Sequence, residues 1–333
     1  MKAFLQKVMA GQALAESEAS DAMAVVMEGQ ATPAQIGALL GAIAARGETE
    51  DEVVGFARAM RARAPRVRSS GAVDTCGTGG DGAGTFNIST LASLVVASCG
   101  VPVAKHGNRS ASGRCGSADV LEALGIALDP GLAAVQRALD ACGWTFLFAP
   151  AFHASTRHAV GPRKELGVRT AFNLLGPLTN PAFPEAQVVG VPRPELTVFM
   201  ARCLARLGVR RAWVVHGSGL DELSLCAPTQ VTEFAEDAAP RTFTIAPQDA
   251  GLAPCEAGAL AGGDAAFSAR AATELLDGAP GPLAEVVALN AAAALLVAGR
   301  VSDLASGVEE ARGALRGGHT KSLLQRVKET TTP

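Results

Sequence analysis

Excess charge and long hydrophobic runs are both scarce in this chain of 333 residues, and aromatic residues make up only 4% of it. The formal net charge of −3 at pH 7 gives no electrostatic footprint for nucleic acid or for an anionic membrane. The most apolar run, residues 91–104, is about 14 residues long and is interrupted by Ser, Gly and Pro, so it cannot span a bilayer. We therefore expect no nucleic acid and no membrane as partners. An anionic ligand would have to meet a local positive site.

The cysteines and the N-terminus exclude further classes of protein. The seven cysteines are widely scattered and no CxxC occurs, so neither a zinc knuckle nor a redox pair is indicated. The first residues lack a sustained apolar stretch and carry acids by Glu16, unlike a signal peptide. Scattered thiols without a secretion signal fit a reducing compartment. We expect a cytoplasmic protein.

Common hydrolase motifs are absent as well. The chain contains no GxSxG, no HExxH and no catalytic triad that can be ordered. None of its five histidines is paired with cysteine at metal-ligand spacing. The chemistry must therefore come from other residues.

The most informative stretch is residues 74–90, with the sequence DTCGTGGDGAGTFNIST. Five glycines fall between Gly77 and Gly84, and the apolar residues that follow predict a buried helix. Glycine lets the backbone adopt positive φ and approach a ligand closely, and a helix N-terminus points free N–H groups at that ligand. These features predict an anion site, most often for phosphate.

Two familiar phosphate-loop motifs match this stretch only in part. Residues 77–82 satisfy GxGxxG, but a dinucleotide site needs an acid about 20 residues further on. That position holds Lys105 and His106. Residues 79–84 satisfy GxxxxG, but Thr85 follows directly, without the lysine of a P-loop. Both motif interpretations therefore fail.

Polar residues near the glycines could complete the site. Asn87, Ser89 and Thr90 lie at the predicted helix start, where they could share a ligand, although each alone is also explained by helix capping. Lys105 follows a predicted strand and would supply a compact positive charge, unless it is simply solvated. Ser117 opens another predicted helix and with it a second anion site of the same type.

Charged groups further along the chain indicate a metal site and a site for a carboxylate ligand. Asp221 and Glu222 follow a predicted strand, and adjacent carboxylates at a strand end fit Mg²⁺, although a solvated acidic turn is the usual explanation. Residues 153–169 contain six basic side chains, two of them histidines. Among them Arg163 could bind a carboxylate in bidentate fashion, or it could belong to a surface ion-pair network.

The order of predicted elements indicates an α/β protein with a helical beginning. Capping boxes at Thr32 and Thr49 and helical apolar spacing predict four short helices in residues 1–65. Strand and helix patterns then alternate, which is typical of a parallel sheet. Residues 150–185 interrupt the alternation with basic residues and turn formers, and predict a connector that crosses a cleft.

Four segments together resemble the anthranilate phosphoribosyltransferase family. They are DTCGTGGDGAGTFNIST, KHGNRSASGRCGSADVLEALG, PRKELGVRTAFNLLGPLTNP and GLDEL, in this order along the chain. The resemblance implies transfer of 5-phosphoribose from 5-phosphoribosyl 1-diphosphate to the amine of anthranilate, with release of diphosphate, in tryptophan biosynthesis. It also implies Mg²⁺ as cofactor and a homodimer formed through the helical domain.

The resemblance sharpens the expected fold and domain limits. It implies a small, mostly helical N-terminal domain and a larger α/β domain with a central, mainly parallel sheet flanked by helices. We place the helical domain at residues 1–68, to which residues 163–182 return, and the α/β domain at residues 72–160 and 185–333.

The resemblance also assigns roles to residues of this chain. The implied anthranilate contacts are Gly77, Asn108 and Arg163. The implied metal ligands are Ser89, Asp221 and Glu222, and no dedicated catalytic base is implied, with Lys105 and Mg²⁺ acting electrostatically. The implied contacts of phosphoribosyl diphosphate are Gly77, Gly80, Asp81, Thr85, Asn87, Ile88, Ser89, Thr90, Lys105, His106, Gly107, Asn108, Arg109, Ser110, Ala111, Ser112, Gly113 and Ser117.

Two alternatives remain at this stage. A pyrimidine nucleoside phosphorylase would share the fold and the anion loop, but residues 105–109 and the acids at Asp221 and Glu222 disfavour it. A non-catalytic relative that binds nucleic acid would need a basic surface, which a net charge of −3 does not favour.

Overall fold

Residues 1–63 fold as the helices that the capping signals predict. The computed structural model describes residues 1–110, 114–236 and 238–332. Thr32 and Thr49 each accept a hydrogen bond from the backbone N–H three residues later, and so begin their helices as expected. The helices are α1 (Lys2–Met9), α2 (Glu16–Met27), α3 (Pro33–Arg46) and α4 (Glu50–Arg63).

The remainder of the chain is built on one sheet, which within the described ranges has seven strands in the order β3-β2-β1-β4-β5-β6-β7. The strands are β1 (Val73–Gly77), β2 (Val103–Gly107), β3 (Trp144–Phe148), β4 (Ala186–Gly190), β5 (Arg211–His216), β6 (Thr229–Ala235) and β7 (Arg241–Ile245). Strands β1 to β5 run parallel, and β6 and β7 add an antiparallel hairpin. This confirms the predicted fold class.

Helices cover both faces of the sheet. Successive residues of a strand point to opposite faces, and accordingly Val188 packs into one hydrophobic cluster and Val189 into the other. The second cluster also contains the core of α1 to α4, so the helical domain packs continuously against that sheet face. The later helices are α5 (Ile88–Ser98), α6 (Ser117–Ala123), α7 (Leu132–Cys142), α8 (Ala149–Phe152), α9 (Arg157–Leu166), α10 (Phe172–Leu175), α11 (Leu196–Arg206), α12 (Ala265–Leu276), α13 (Pro282–Val297), α14 (Leu304–Arg316) and α15 (His319–Thr331).

The connector between β3 and β4 contacts the helical domain. Helix α9 packs on α2 and α3, and α10 packs on α4. The buried guanidinium of Arg61, on α4, donates to the carbonyl oxygens of Leu178 (2.6 Å) and Leu207 (2.9 Å). These contacts agree with a return of residues 163–182 to the helical domain, although the domain limits themselves stay a prediction.

Several boundaries differ from the sequence-based ones. Strand β1 extends to Gly77, so the first part of the glycine-rich stretch is strand. Helix α13 begins at Pro282 rather than at residue 290, because it is buried on nearly all sides and has no polar face to mark its start. Helices α12 and α15 had not been predicted. In the described part of the chain, no helix is long and apolar enough to cross a membrane.

Candidate active site

The site lies where the order of the strands reverses. From β1 the chain moves outward to β2 and β3, and then returns on the other side to β4. Adjacent parallel strands whose connections leave in opposite directions open a crevice at their carboxyl ends. Gly77 and Gly190 are the last residues of β1 and β4 and pair in register. The glycine-rich loop therefore begins at the edge of this crevice.

Asp221 is seated directly above these two glycines. A Cβ atom at Gly77 would come within 2.1 Å of the Asp221 carboxylate, and one at Gly190 within 1.5 Å of the Asp221 carbonyl oxygen. The carboxylate oxygen Oδ2 accepts a hydrogen bond from the N–H of Gly79 (2.7 Å), and the Asp221 N–H donates to Asp81 (3.4 Å). The absence of two side chains thus makes room for one acid beside the loop.

Glu222 meets the other end of the loop. Its Oε1 accepts a hydrogen bond from the N–H of Ser89 (3.0 Å), in the first turn of α5, where the helix presents free N–H groups. The buried Lys105 Nζ donates to the carbonyl oxygen of Thr75 (2.5 Å) and to Ser89 Oγ (3.5 Å). Lys105 therefore contacts the site through Ser89, from a buried position rather than from solvent.

The electrostatics of this cluster are those of crowded acids. Burial raises the pKa of Asp221 well above its ordinary value, and the charges of Glu222 and Asp81 raise it further. Burial also raises the pKa of Glu222, and the charge of Lys105 partly offsets this. A divalent cation would relieve the remaining repulsion, so the donor set fits Mg²⁺.

The protein supplies only part of such a coordination sphere. Among the residues that the structure describes, no group of three or more His, Cys, Asp or Glu side chains is placed to hold a metal ion. Mg²⁺ commonly takes one or two carboxylates and completes its shell with water and substrate phosphate oxygens. Asp221 and Glu222 would therefore suffice for a cation site only if a phosphorylated ligand and water completed the shell.

The glycine loop has the conformation that its composition predicts. Gly79, Gly80, Gly82 and Gly84 all have φ between +63° and +82°, the left-handed region that side chains disfavour. The loop ends in pairing with residues 260–262, where Gly262 N–H donates to the Gly84 carbonyl (2.9 Å) and Phe86 N–H to the Leu260 carbonyl (3.0 Å). Both ends of the loop are therefore anchored.

The predicted residues at the start of α5 differ in exposure. Ile88 and Thr90 are buried, so these two could reach a ligand only through their backbone. Ser89 and Thr85 are half-buried, and Ser89 lies beside Lys105. Asn87 donates to the carbonyl oxygen of Cys115 (3.2 Å), and its own side-chain oxygen is buried without a protein partner in the described residues.

The second predicted segment follows β2. Asn108 is exposed, and its carbonyl oxygen accepts a hydrogen bond from Ser117 Oγ (3.1 Å). Arg109 is held by ion pairs with Asp119 (2.9 Å) and Glu122 (2.8 Å), and the Ser110 N–H donates to Asp119 (3.1 Å). The remaining predicted positions, Ala111, Ser112 and Gly113, lie outside the described residues.

Two neutral histidines border the site. His106 Nδ1 donates to the Gly176 carbonyl oxygen (3.0 Å) and His153 Nε2 to that of Thr179 (3.0 Å), while the opposite ring nitrogens are buried without partners in the described structure. The rings lie 5.2 Å apart, edge to face. Burial, reinforced by His153, lowers the pKa of His106 to about 3, and burial lowers the pKa of His153 to about 4.

Arg163, the predicted acceptor contact, lies on α9. Its guanidinium stacks on the ring of Phe172 at 4.7 Å, and partial burial lowers its pKa. Stacking fixes the plane of the guanidinium and leaves its edge to bind a planar anion. The role in binding anthranilate stays a prediction.

Three positions important to the site had not been identified from the sequence. Arg169, on the connector, donates to the Gly79 carbonyl oxygen (3.2 and 3.3 Å), so it ties the connector to the loop. Asn180 donates to buried Asp74 (2.8 Å) and to the Ala104 carbonyl (2.8 Å), linking the connector to β1 and β2. Gly190 admits Asp221. Of the three, only Gly190 had a signal in the sequence, because it is a glycine at the end of a predicted strand.

Comparisons with known proteins identify the family of the chain. Residues 2–64 match the helical bundle domain of the glycosyl transferase family, and residues 69–321 match its a/b domain. The chain therefore belongs to the glycosyl transferase family, in its form with a helical bundle domain.

The particular branch follows from full-length relatives. Anthranilate phosphoribosyltransferase of Moorella thermoacetica is 53% identical over 98% of this chain and 96% of the relative, and that of Symbiobacterium thermophilum is 51% identical over 99% and 98%. The chain is thus a member of the anthranilate phosphoribosyltransferases, as its motifs predicted.

Solved structures share the whole fold. The crystal structure of anthranilate phosphoribosyltransferase from Thermus thermophilus superposes with a TM-score of 0.93 at 45% identity, covering 98% of this chain and 99% of that one. The Saccharomyces cerevisiae enzyme in complex with PRPP and Mg has a TM-score of 0.90 at 24% identity, covering 99% and 97%. At 24% identity, the comparison with the yeast enzyme shows a shared fold.

Replacing Gly190 by alanine should displace Asp221. The new Cβ would lie 1.5 Å from the Asp221 carbonyl oxygen, so the backbone of the acidic turn, the segment that carries Asp221 and Glu222, has to move. We expect turnover to fall on the order of 100-fold, because small misplacements of a site have effects of that size. Gly313→Ala, at an open helical position of α14, is the matched control and should keep full activity. Normal turnover in Gly190→Ala would contradict the seating of Asp221.

The buried histidines predict loss of stability in acid. An unfolded histidine titrates near 6.5 and folded His153 near 4, so between these values the unfolded chain binds the extra proton and stability falls as pH falls. Between pH 7 and pH 5 the free energy of unfolding should fall in both proteins. The fall should be about 2 kcal/mol larger in the unchanged protein than in His153→Gln. Denaturant unfolding at the two pH values measures this difference. Equal drops would show that folding does not lower the pKa of His153.

Proposed function

We propose that this chain transfers 5-phosphoribose from 5-phosphoribosyl 1-diphosphate to the amine of anthranilate and releases diphosphate, a step of tryptophan biosynthesis. The observation that carries the proposal is the joint anchoring of Asp221 and Glu222 on the two ends of the glycine loop, at the strand switch point. The relatives named above supply the identity of the reaction. The nucleoside phosphorylase and nucleic-acid alternatives have no comparable observation in their favour.

The loop and the segment after β2 would hold phosphoribosyl diphosphate. Gly80, Asp81, Thr85 and the first turn of α5 supply backbone N–H groups and hydroxyls to the phosphates. Residues 105–113 and Ser117 would cover the other side of the substrate. Gly77, Asn108 and Arg163 would hold anthranilate, with its carboxylate on the guanidinium edge of Arg163.

We assign the metal site to Ser89, Asp221 and Glu222. When bound there with the substrate, Mg²⁺ would supply positive charge to the departing diphosphate. The charge of Lys105 lowers the pKa of Glu222 and so favours its ionised form, and the Lys105 ammonium donates a hydrogen bond to Ser89 Oγ. Both groups are therefore placed to act as ligands. The Gly79 and Ser89 N–H groups fix one oxygen of each acid.

The reaction forms a bond between the anthranilate nitrogen and the anomeric carbon, and breaks the bond from that carbon to diphosphate. The nitrogen also loses one proton, which leaves with the diphosphate or passes to water. Positive charge develops on the sugar and negative charge on the leaving group, so electrostatic stabilisation and exclusion of water are the main requirements. The acceptor amine is aromatic and neutral at pH 7, so its lone pair is available without a strong base. His106 and His153 remain neutral and are positioned to shape the cleft rather than to carry charge.

We further propose a homodimer formed through the helical domain, acting in the cytoplasm. Exposed apolar side chains on the helical side of the molecule favour this association, since Met9 of α1 is 72% exposed and Val160 of α9 is 56% exposed.

A direct assay tests the proposed reaction. Purified protein with Mg²⁺ should consume the fluorescence of anthranilate only when phosphoribosyl diphosphate is also present, and diphosphate should appear in equal amount. Omission of Mg²⁺ should abolish the change. Folded protein that leaves the fluorescence unchanged with all components would refute the function.

The double substitution Asp221→Asn with Glu222→Gln tests the acids separately. Both replacements are nearly isosteric and can still accept the N–H groups of Gly79 and Ser89, so the fold should persist, as circular dichroism would show. Removing both charges should lower turnover by at least roughly 100-fold. Glu309→Gln, which removes one charge from an exposed side chain of α14, is the control and should be fully active. Full activity of the double variant would refute the metal role.

A further inference from the structure

Two cysteines that are far apart in sequence meet next to the acidic turn. Cys226 lies four positions after Glu222, and Cys255 lies in the segment between two 3₁₀ turns, Pro247–Ala250 and Ala257–Leu260. Their Sγ atoms are 3.9 Å apart, and both residues are half-buried. The sequence had indicated no redox pair, because the two positions form no local motif.

One hydrogen bond joins the two segments that carry these thiols, and a second is local to Cys226. The Cys255 N–H donates to the carbonyl oxygen of Leu225 (3.2 Å), and the Cys226 N–H donates to Ser224 Oγ (3.0 Å). A bonded sulfur pair lies about 2.0 Å apart with Cα atoms at about 5.5–6 Å. The hydrogen bond from Cys255 to Leu225, the residue before Cys226, keeps the two segments adjacent, and rotation of the two side chains can bring the sulfur atoms from 3.9 Å to bonding distance.

We propose that Cys226 and Cys255 form a reversible disulfide by exchange with a low-molecular-weight disulfide. One cysteine thiolate attacks the small disulfide and releases one small thiol, which takes up the proton that the cysteine loses. The second cysteine then displaces the second small thiol from the mixed disulfide. Both protein thiols are oxidised, and one small disulfide is reduced to two thiols.

The rate of exchange should be controlled by ionisation. Partial burial, together with the neighbouring Cys226, raises the pKa of Cys255 to about 11. Because the thiolate is the attacking species, little of Cys255 is reactive at neutral pH, and bond formation should accelerate as the pH rises. The disulfide should therefore form slowly at neutral pH, and only when a small disulfide is present for a sustained time.

A bond here would connect the two halves of the site. Cys226 belongs to the turn that carries Asp221 and Glu222. Cys255 leads into residues 260–262, which pair with the end of the glycine loop. The crosslink would thus restrain the acidic turn and the loop anchor against each other, whether or not the proposed reaction is correct.

Peptide mapping after treatment with oxidised glutathione tests the bond. Folded protein should yield a Cys226–Cys255 linked peptide that disappears on reduction with dithiothreitol, and linkage should form several-fold faster at pH 9 than at pH 7. Titration of the unfolded, treated protein should find two fewer thiols than the seven of the sequence. Cys115→Ser, which removes a half-buried thiol elsewhere, should leave the linkage unchanged.

Hydrogen exchange gives a second readout that does not depend on activity. Oxidation should slow amide exchange in residues 217–228 of the unchanged protein and leave it unaltered in Cys255→Ser. Recovery of glutathione adducts at Cys226 or Cys255 without a linked peptide would overturn the proposal. So would two unmodified thiols after treatment at pH 9.

Discussion

The site depends on the close approach of one backbone turn to two strand ends. Gly77 and Gly190 end neighbouring strands in register, and the space that their side chains would occupy holds the carboxylate and the main chain of Asp221. The register of β1 and β4 therefore determines where the acid lies. From that position Asp221 binds Gly79 and directs the first part of the glycine loop, while its neighbour Glu222 binds the start of α5. A shift of either strand would separate the acids from the loop.

The acids beside the glycine loop repel one another, and a bound ligand that carries a cation can offset this repulsion. Asp221, Glu222 and Asp81 lie together in a partly buried space, with Lys105 supplying one positive charge from beneath. Three carboxylates near one ammonium favour an added cation, and the N–H groups of the loop favour an added anion. A magnesium complex of a diphosphate brings both at once. This mutual requirement gives the proposed function its physical basis: the ligand completes the charge balance that the protein leaves open.

The helical domain and connector form the other side of the cleft. Their hydrophobic core is continuous with one face of the sheet, and buried Arg61 binds carbonyl oxygens on both the connector and the end of α11. The connector in turn places Arg163 and Arg169, of which the second bonds to the glycine loop across the cleft. Continuous packing and bridging hydrogen bonds fix the connector relative to the glycine loop, as the proposed positioning of two substrates would require.

The sequence alone determined the elements whose cause is local. Helices α1 to α4 followed from capping and spacing, the loop conformation from its glycines, and the family from four motifs. Tertiary structure decided what depends on contact between distant residues. The seating of Asp221 over Gly190, the contact of Arg169 with Gly79 and the meeting of Cys226 with Cys255 have no local signature, because sheet register and the return of the connector create them. Backbone propensity acts over a few residues, whereas these contacts join positions that only the folded sheet brings together.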